Sequence, residues 1–148
     1  MTARLVLALL FLAMPAMAGA GAGARAGEVA VRVQGVRNDQ GSVVVGVCAE
    51  EVFIGGTCAF CASVPARAGA VTVTVPDVPP GTYAVRVYHD ENGNERIDRN
   101  FLGVPLEGFG FGNDAPVRMA PPSFKDAAVT VGPDRLETSL TLRYWLSP

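Results

Sequence analysis

Valine recurs at every second position through separate runs of this chain, and that period of two is the strongest constraint on what it can fold into. Strict alternation needs extended backbone, because only a strand sends successive side chains to opposite faces. "EVAVRVQGV" places Val29, Val31 and Val33 on one face and Arg32 on the other. "GSVVVGVCA" repeats this with Val43, Val45 and Val47, and the intervening Arg37–Gly41 is turn chemistry, so the two runs read as a hairpin. "AVTVTV" gives Val71, Val73 and Val75 against Thr72 and Thr74, and "PDVPPG", residues 76–81, is expected to stop it because proline cannot donate to a ladder. "TYAVRVYH" sets Tyr83, Val85 and Val87 against Arg86 and Tyr88. "DAAVTVG" and "LETSLTLRYWL" close the chain, with Leu136, Leu140 and Leu142 pointing the same way. Residues 52–64 fit neither period. About six or seven short strands separated by turn signals predict an all-β fold, an antiparallel β-sandwich with one buried face per sheet.

The chain opens on "MTARLVLALLFLAMPAMAGA": a basic residue, a short apolar run from Leu5 to Met14, then small residues with an Ala-x-Ala exit. That order is expected of a secretory signal peptide over 1–18, with cleavage as late as 27 and a flexible Ala/Gly leader over 19–27. The run is too short for a transmembrane span of about 20 residues. Residues 28–148 are then one domain, exported to the periplasm or beyond the cell. Residues 1–27 hold Arg4 and Arg25 of the 12 basic residues and none of the 14 acidic ones, so the remainder carries 10 against 14. A mildly acidic domain has no electrostatic basis for holding nucleic acid or an anionic membrane.

Export places Cys48, Cys58 and Cys61 in an oxidising compartment, where one disulfide is expected. Cys48–Cys58, Cys48–Cys61 and Cys58–Cys61 are all open. The spacing Cys58-Ala-Phe-Cys61 lacks the helix start a redox pair needs and the His a covalent haem needs, Ala62 standing there instead. Three cysteines and a distant His89 are a marginal set for zinc.

"HDENGNERIDRN", residues 89–100, carries oxygen side chains at alternate positions: Asp90, Asn92, Asn94, then Asp98. Counted from Asp90 these are positions one, three, five and nine of a calcium loop of the EF-hand type, with the Arg96 carbonyl at seven. Two positions depart from that pattern. Position six, where such loops need glycine, is Glu95, and position twelve, the bidentate Glu, is Phe101. Glu107 or Asp114 would have to close the site, with Glu91 and Glu95 as weaker choices. The expected cofactor is calcium, held weakly, at about 10⁻⁴–10⁻³ M. The competing reading is a polar turn whose Asn and Asp side chains bond their own backbone.

His89, the single histidine, follows Val85 and Val87 on the inward face and reads as structural. No serine lies in a nucleophile elbow. "GFGFGN", residues 108–113, lacks the Lys-Ser/Thr of a phosphate loop, so Phe109 and Phe111 read as anchors. Tyr144 and Trp145, on opposite faces of the last strand, read as structural too. Residues 90–124 form an excursion of about 35 residues, far longer than the usual connection. Its aromatic and aliphatic residues, Phe101, Leu102, Val104, Leu106 and Phe124 among them, predict an ordered loop packed over one sandwich end.

The stretch "PPGTYAVRVYHDENGNERIDRNFLGVPLEGFGFGNDA", followed by "PPSFKDAAVTV", resembles the bacterial domain of unknown function 2141 family. The pattern is carried by Pro80, Gly81, Tyr83, Ala84, His89, Asp90, Asn92, Asn94, Asp98, Asn100, Gly103, Pro105, Glu107, Gly110, Phe111 and Asn113, and completed by Pro122, Phe124, Asp126 and Ala127. The resemblance implies an exported protein with a sandwich of the immunoglobulin or transthyretin-like kind, and no activity. The functional expectation is a non-enzymatic exported module, calcium-stabilised, binding a protein or glycan at the long-loop end. The alternatives are a metal-dependent enzyme or metal-handling protein using the loop from His89 to Glu107, and a thiol-active protein using Cys58 and Cys61.

Overall fold

The computed structural model describes residues 25–146, and the signal peptide expected over 1–18 lies outside them. The elements are β1 (Gly27–Val36), β2 (Ser42–Cys48), β3 (Phe60–Pro65), β4 (Gly69–Val78), β5 (Gly81–Asp90), β6 (Phe109–Phe111), β7 (Ala128–Val131) and β8 (Arg135–Thr141), with single 3-10 turns at Glu50–Val52, Gly112–Asp114 and Lys125–Ala127. Gly27, assigned to the leader on sequence grounds, already opens β1. Two sheets pack face to face: β4-β1-β8, and β3-β2-β5-β6 with β7 also on β5. The chain is an all-β sandwich.

The alternating valines make the core between the sheets. Val29, Val31 and Val33 of β1 meet Val43, Val45 and Val47 of β2, with Val73, Val75, Val85, Val87 and Leu140 around them. Burying a valine side chain contributes about 1.5–3 kcal/mol, so this face drives the collapse. It also overturns the expected β1–β2 hairpin. β1 pairs with β4 and β8, and β2 with β3 and β5. The link Arg37–Gly41 instead carries the chain from one sheet to the other, so the two valine faces lie opposite rather than side by side. Gly41 makes the bend at φ 66°, and a Cβ there would collide with the Asp90 carbonyl.

Two further expectations are corrected. β4 does not stop at Pro76 but runs on to Val78 through a bulge, Pro76 and Asp77 lying opposite the single residue Glu28. The strand is at a sheet edge, where a missing N–H removes no ladder bond. And one ladder is parallel, β1 with β8. β8 follows β7, which lies in the other sheet, so that connection crosses the sandwich and imposes no hairpin reversal.

Residues 52–64 resolve into a loop and the edge strand β3. Cys48, at the end of β2, is bonded to Cys58, with Cα atoms 4.6 Å apart, and Cys61 is free and exposed on β3. Cys58 is therefore not paired with Cys61, and the thiol-active reading loses its second sulfur. The bridge sits in a second cluster, on the outer face of the five-stranded sheet, with Phe53, Ala84, Ala115 and Ala127. Phe53 stands edge-on to Phe111 at 5.5 Å and to Phe124 at 6.1 Å, which docks the far end of the excursion onto the sheet. The excursion leads into the short strand β6, and Phe109 is buried. Phe101 and Leu102, expected to pack, lie exposed. The bracing of that loop is polar, so it needs no apolar side chain at those positions.

Closing a loop of this size by a disulfide contributes about 2–3 kcal/mol. The Cys48→Ser/Cys58→Ser variant should lose about that much in a urea titration. In the unreduced, denatured chain a thiol reagent should find one thiol, Cys61.

Candidate functional site

β5 ends in Asp90, which is 1% exposed. Its Oδ1 accepts the N–H groups of Gly93 at 2.8 Å and Asn94 at 3.1 Å, and its Oδ2 accepts that of Glu95 at 2.8 Å. A buried carboxylate is costly unless paired or bonded, and three donors meet that cost. The turn they impose puts Glu95 at φ 62°, the left-handed conformation that a calcium loop reserves for glycine at this position. Asn92 Oδ1 accepts the Asn94 N–H and Asn94 Oδ1 the Arg96 N–H, both at 3.1 Å. The amide nitrogens of Asn92 and Asn94 donate to the Asp98 carboxylate at 2.6 Å and 2.9 Å.

Of the candidate closing carboxylates, Glu107 is the one the fold brings to the loop. It is buried, and it accepts the Glu91 N–H at 3.0 Å through Oε1 and the Asp98 N–H at 3.1 Å through Oε2. One side chain thus ties both ends of the loop. Asp114 lies elsewhere, accepting the Thr141 N–H at 2.6 Å. Arg96 turns its side chain to solvent, 3.9 Å from Asp98. Among the described residues no three His, Cys, Asp or Glu side chains gather as a metal-ligand group.

His89 is enclosed. Nε2 lies 2.7 Å from the Gln40 carbonyl and so donates, which leaves Nδ1 to accept the Tyr144 hydroxyl at 2.8 Å. The Tyr144 oxygen accepts the Arg37 N–H at 3.2 Å, and the Arg37 guanidinium lies over the Tyr144 ring at 4.6 Å. Gly108 runs against the same ring, where a Cβ would overlap it. Arg37 is bidentate to Glu91, both contacts at 2.6 Å, and Asn38 adds a third at 3.1 Å. The bond to Arg37 holds the Glu91 carboxyl below the usual carboxylate range, and burial pushes the Tyr144 phenol up. Both ring nitrogens of His89 are thus engaged in hydrogen bonds within the protein. The inter-sheet link, the end of β5 and the start of the excursion are locked as one unit.

The far end is held in the same way. Asn113, at φ 58°, donates to the carbonyls of Asp126 and Ala128 at 3.1 Å and 2.9 Å. Between the two braces, on the outer face of β5, lies an open cleft of about 520 Å³. Arg86 and Tyr88 form its floor; Ile54, Leu102, Met119 and Trp145 are among its walls. Sequence reasoning passed over Arg86. Its guanidinium donates to the carbonyls of Phe53 at 3.0 Å and Gly56 at 2.6 Å, and burial lowers its pKa. The one available signal was its outward place between Val85 and Val87 on a strand flanked by a long loop.

Fold and site together define a small all-β sandwich that carries a self-bonded polar loop beside an open cleft. The chain belongs to the bacterial family described as "Uncharacterized protein conserved in bacteria (DUF2141)", which it matches over residues 31–139. Searches of curated proteins and of solved structures found no match.

Because the Glu91 pKa is lowered by folding, the bond to Arg37 stabilises fully above the unfolded value, about 4.3, and its contribution is lost as pH falls through the lower folded value. An Arg37→Met variant should cost about 1 kcal/mol at pH 6, and that cost should shrink steadily below about pH 4.3. Urea midpoints across pH 3–6 would show it; a cost independent of pH would contradict the pairing.

Proposed function

We propose that this chain is an exported, non-enzymatic module serving a binding or accessory role at the cell envelope, with the excursion as its working surface. One observation carries this reading. The excursion is braced at both ends by polar contacts, those of the buried Asp90 and Glu107 at one end and those of Asn113 at the other, yet it holds Phe101, Leu102 and Met119 out in water at 95%, 72% and 100% exposure. Apolar side chains mounted on a fixed base mark an interaction surface more readily than they mark a folding need. Export is supported by the apolar, Ala-x-Ala-ended opening of the sequence and by the Cys48–Cys58 bridge. No helix among the described residues is long and apolar enough to cross a membrane. The non-enzymatic reading rests on His89, whose ring is fully enclosed and bonded at both nitrogens.

Fractionation of cells expressing the full chain should find a shortened product outside the cytoplasm. Immobilised, that product should retain a component of envelope extract that a Phe101→Ser/Leu102→Ser/Met119→Ser variant does not. A full-length cytoplasmic product, or equal retention by both, would overturn the proposal.

Calcium is the second reading, favoured by two observations. Glu95 takes the left-handed backbone of a calcium loop's glycine, and the amides of Asn92 and Asn94 converge on the Asp98 carboxylate. A half-turn of each amide would present oxygens there instead, at the loss of the backbone bonds those oxygens now accept. A ligand that binds only the folded state adds about 2.7 kcal/mol at a hundredfold excess over its Kd. A calcium-holding loop therefore predicts a midpoint several degrees higher in excess calcium than in chelator, with the difference absent in Asp98→Ala. Identical melts would leave the loop a hydrogen-bonded scaffold alone.

A further inference from the structure

The cleft on the outer face of β5 has a charge pattern that the proposed binding role does not by itself require. Arg86, Arg96 and Arg99 line it, against the single carboxylate of Glu95. None of the three cations is held by a close carboxylate. Arg86 is spent on the carbonyls of Phe53 and Gly56, and Arg99 donates to the Gly103 carbonyl at 3.0 Å. Arg96 has only Asp98 at 3.9 Å, with most of its side chain in water. In a chain with an excess of acidic residues, this is a local reversal of sign. Burial lowers the Arg86 pKa.

The remaining lining is apolar. Ile54, Ile97, Leu102, Val104, Met119 and Trp145 contribute the walls. Met119 and Leu102 stand free enough to fold over an occupant, and a flexible thioether suits an irregular apolar partner. A volume of about 520 Å³ falls within the ~300–1,000 Å³ of small-molecule sites. Sugar rings want several carboxylates and amides to pair their hydroxyls, and this lining offers one carboxylate.

We infer that the cleft binds a single-chain amphiphile with one anionic head, of the fatty-carboxylate type, the head met by Arg96 and Arg99 at the rim and the chain laid along the apolar walls over β5. This rests on the binding role proposed above and replaces a protein or glycan as the expected ligand. Arg86 acts from the floor, fixing the loop at Phe53–Gly56 that forms one wall while adding its uncompensated charge.

Trp145, the single tryptophan, lines the cleft and is 41% exposed, so its fluorescence reports occupancy directly. The mature chain would be titrated with laurate below its micelle concentration, and with dodecanol and dodecyltrimethylammonium as neutral and cationic ligands of equal length. The expected result is a saturable blue shift with laurate, at least tenfold tighter than with either control. An Arg96→Ala/Arg99→Ala variant should weaken laurate about tenfold and leave dodecanol unchanged. Leu102→Ser/Met119→Ser should weaken both. A thermal melt of each variant checks folding, and both pairs lie at exposed positions. No saturable shift, or equal affinity for the three ligands, overturns the inference. If the envelope retention described above persists while laurate fails to bind, the binding role stands and only the ligand class falls.

Discussion

Everything at the loop end of this protein depends on one buried carboxylate. Asp90 stops β5 inside the structure, and a charge there must find donors or be expelled. It finds three backbone N–H groups in the five residues that follow. That requirement forces the chain into a tight left-handed turn and places Asp98 and Glu107 within reach of the loop's own backbone. It also orients the excursion over the outer face of the sheet. Glu107 then does for the loop's exit what Asp90 does for its entry. Without these two carboxylates the excursion would lose the bonds that tie its entry and its exit together at the end of β5.

The sandwich supplies the fixed frame for this. Val43 and Val45 pair across the ladder with His89 and Val87, so the register that buries the valines also buries the imidazole. Once inside, the ring needs partners for both nitrogens, and it takes one from the inter-sheet link and one from Tyr144, three residues past the end of β8. Three segments distant in sequence are thereby fastened by a polar group whose position was decided by apolar packing. The Arg37–Glu91 pair and the stacking of Arg37 on Tyr144 close the same knot from the solvent side.

Strand positions were legible because alternation is a local property: every valine run assigned on sequence grounds is a strand. Pairing was not. The Arg37–Gly41 link reads as a hairpin turn and is a sheet-to-sheet crossing, because the choice is made by which apolar faces meet across the core, information spread over Val73, Val85 and Leu140 as well. The parallel β1–β8 ladder was hidden for the same reason. At the site, the family-like residues Asp90, Asn92, Asn94, Asp98 and Glu107 lie together, and Glu107 reaches the loop's backbone from the far side of the excursion. Their roles were harder to read. Spacing alone cannot say whether an Asp oxygen faces inward to a cation or back to an N–H. The cleft was invisible in the sequence, since Arg86, Met119 and Trp145 are joined only by folding.

The bulge in β4 has a bearing on how these molecules behave in company. An edge strand offers a row of unpaired N–H and C=O groups to any similar strand that approaches. At Pro76 one donor is missing, and at Asp77 the backbone turns out of the pleat at φ 56° with a charged side chain. At the other sheet's edge β3 is short and ends in Pro65. At these two edges a strand arriving from a neighbouring molecule meets a missing donor, a charge or an early end rather than a continuous ladder, so the chain's strong strand-forming bias is blunted there.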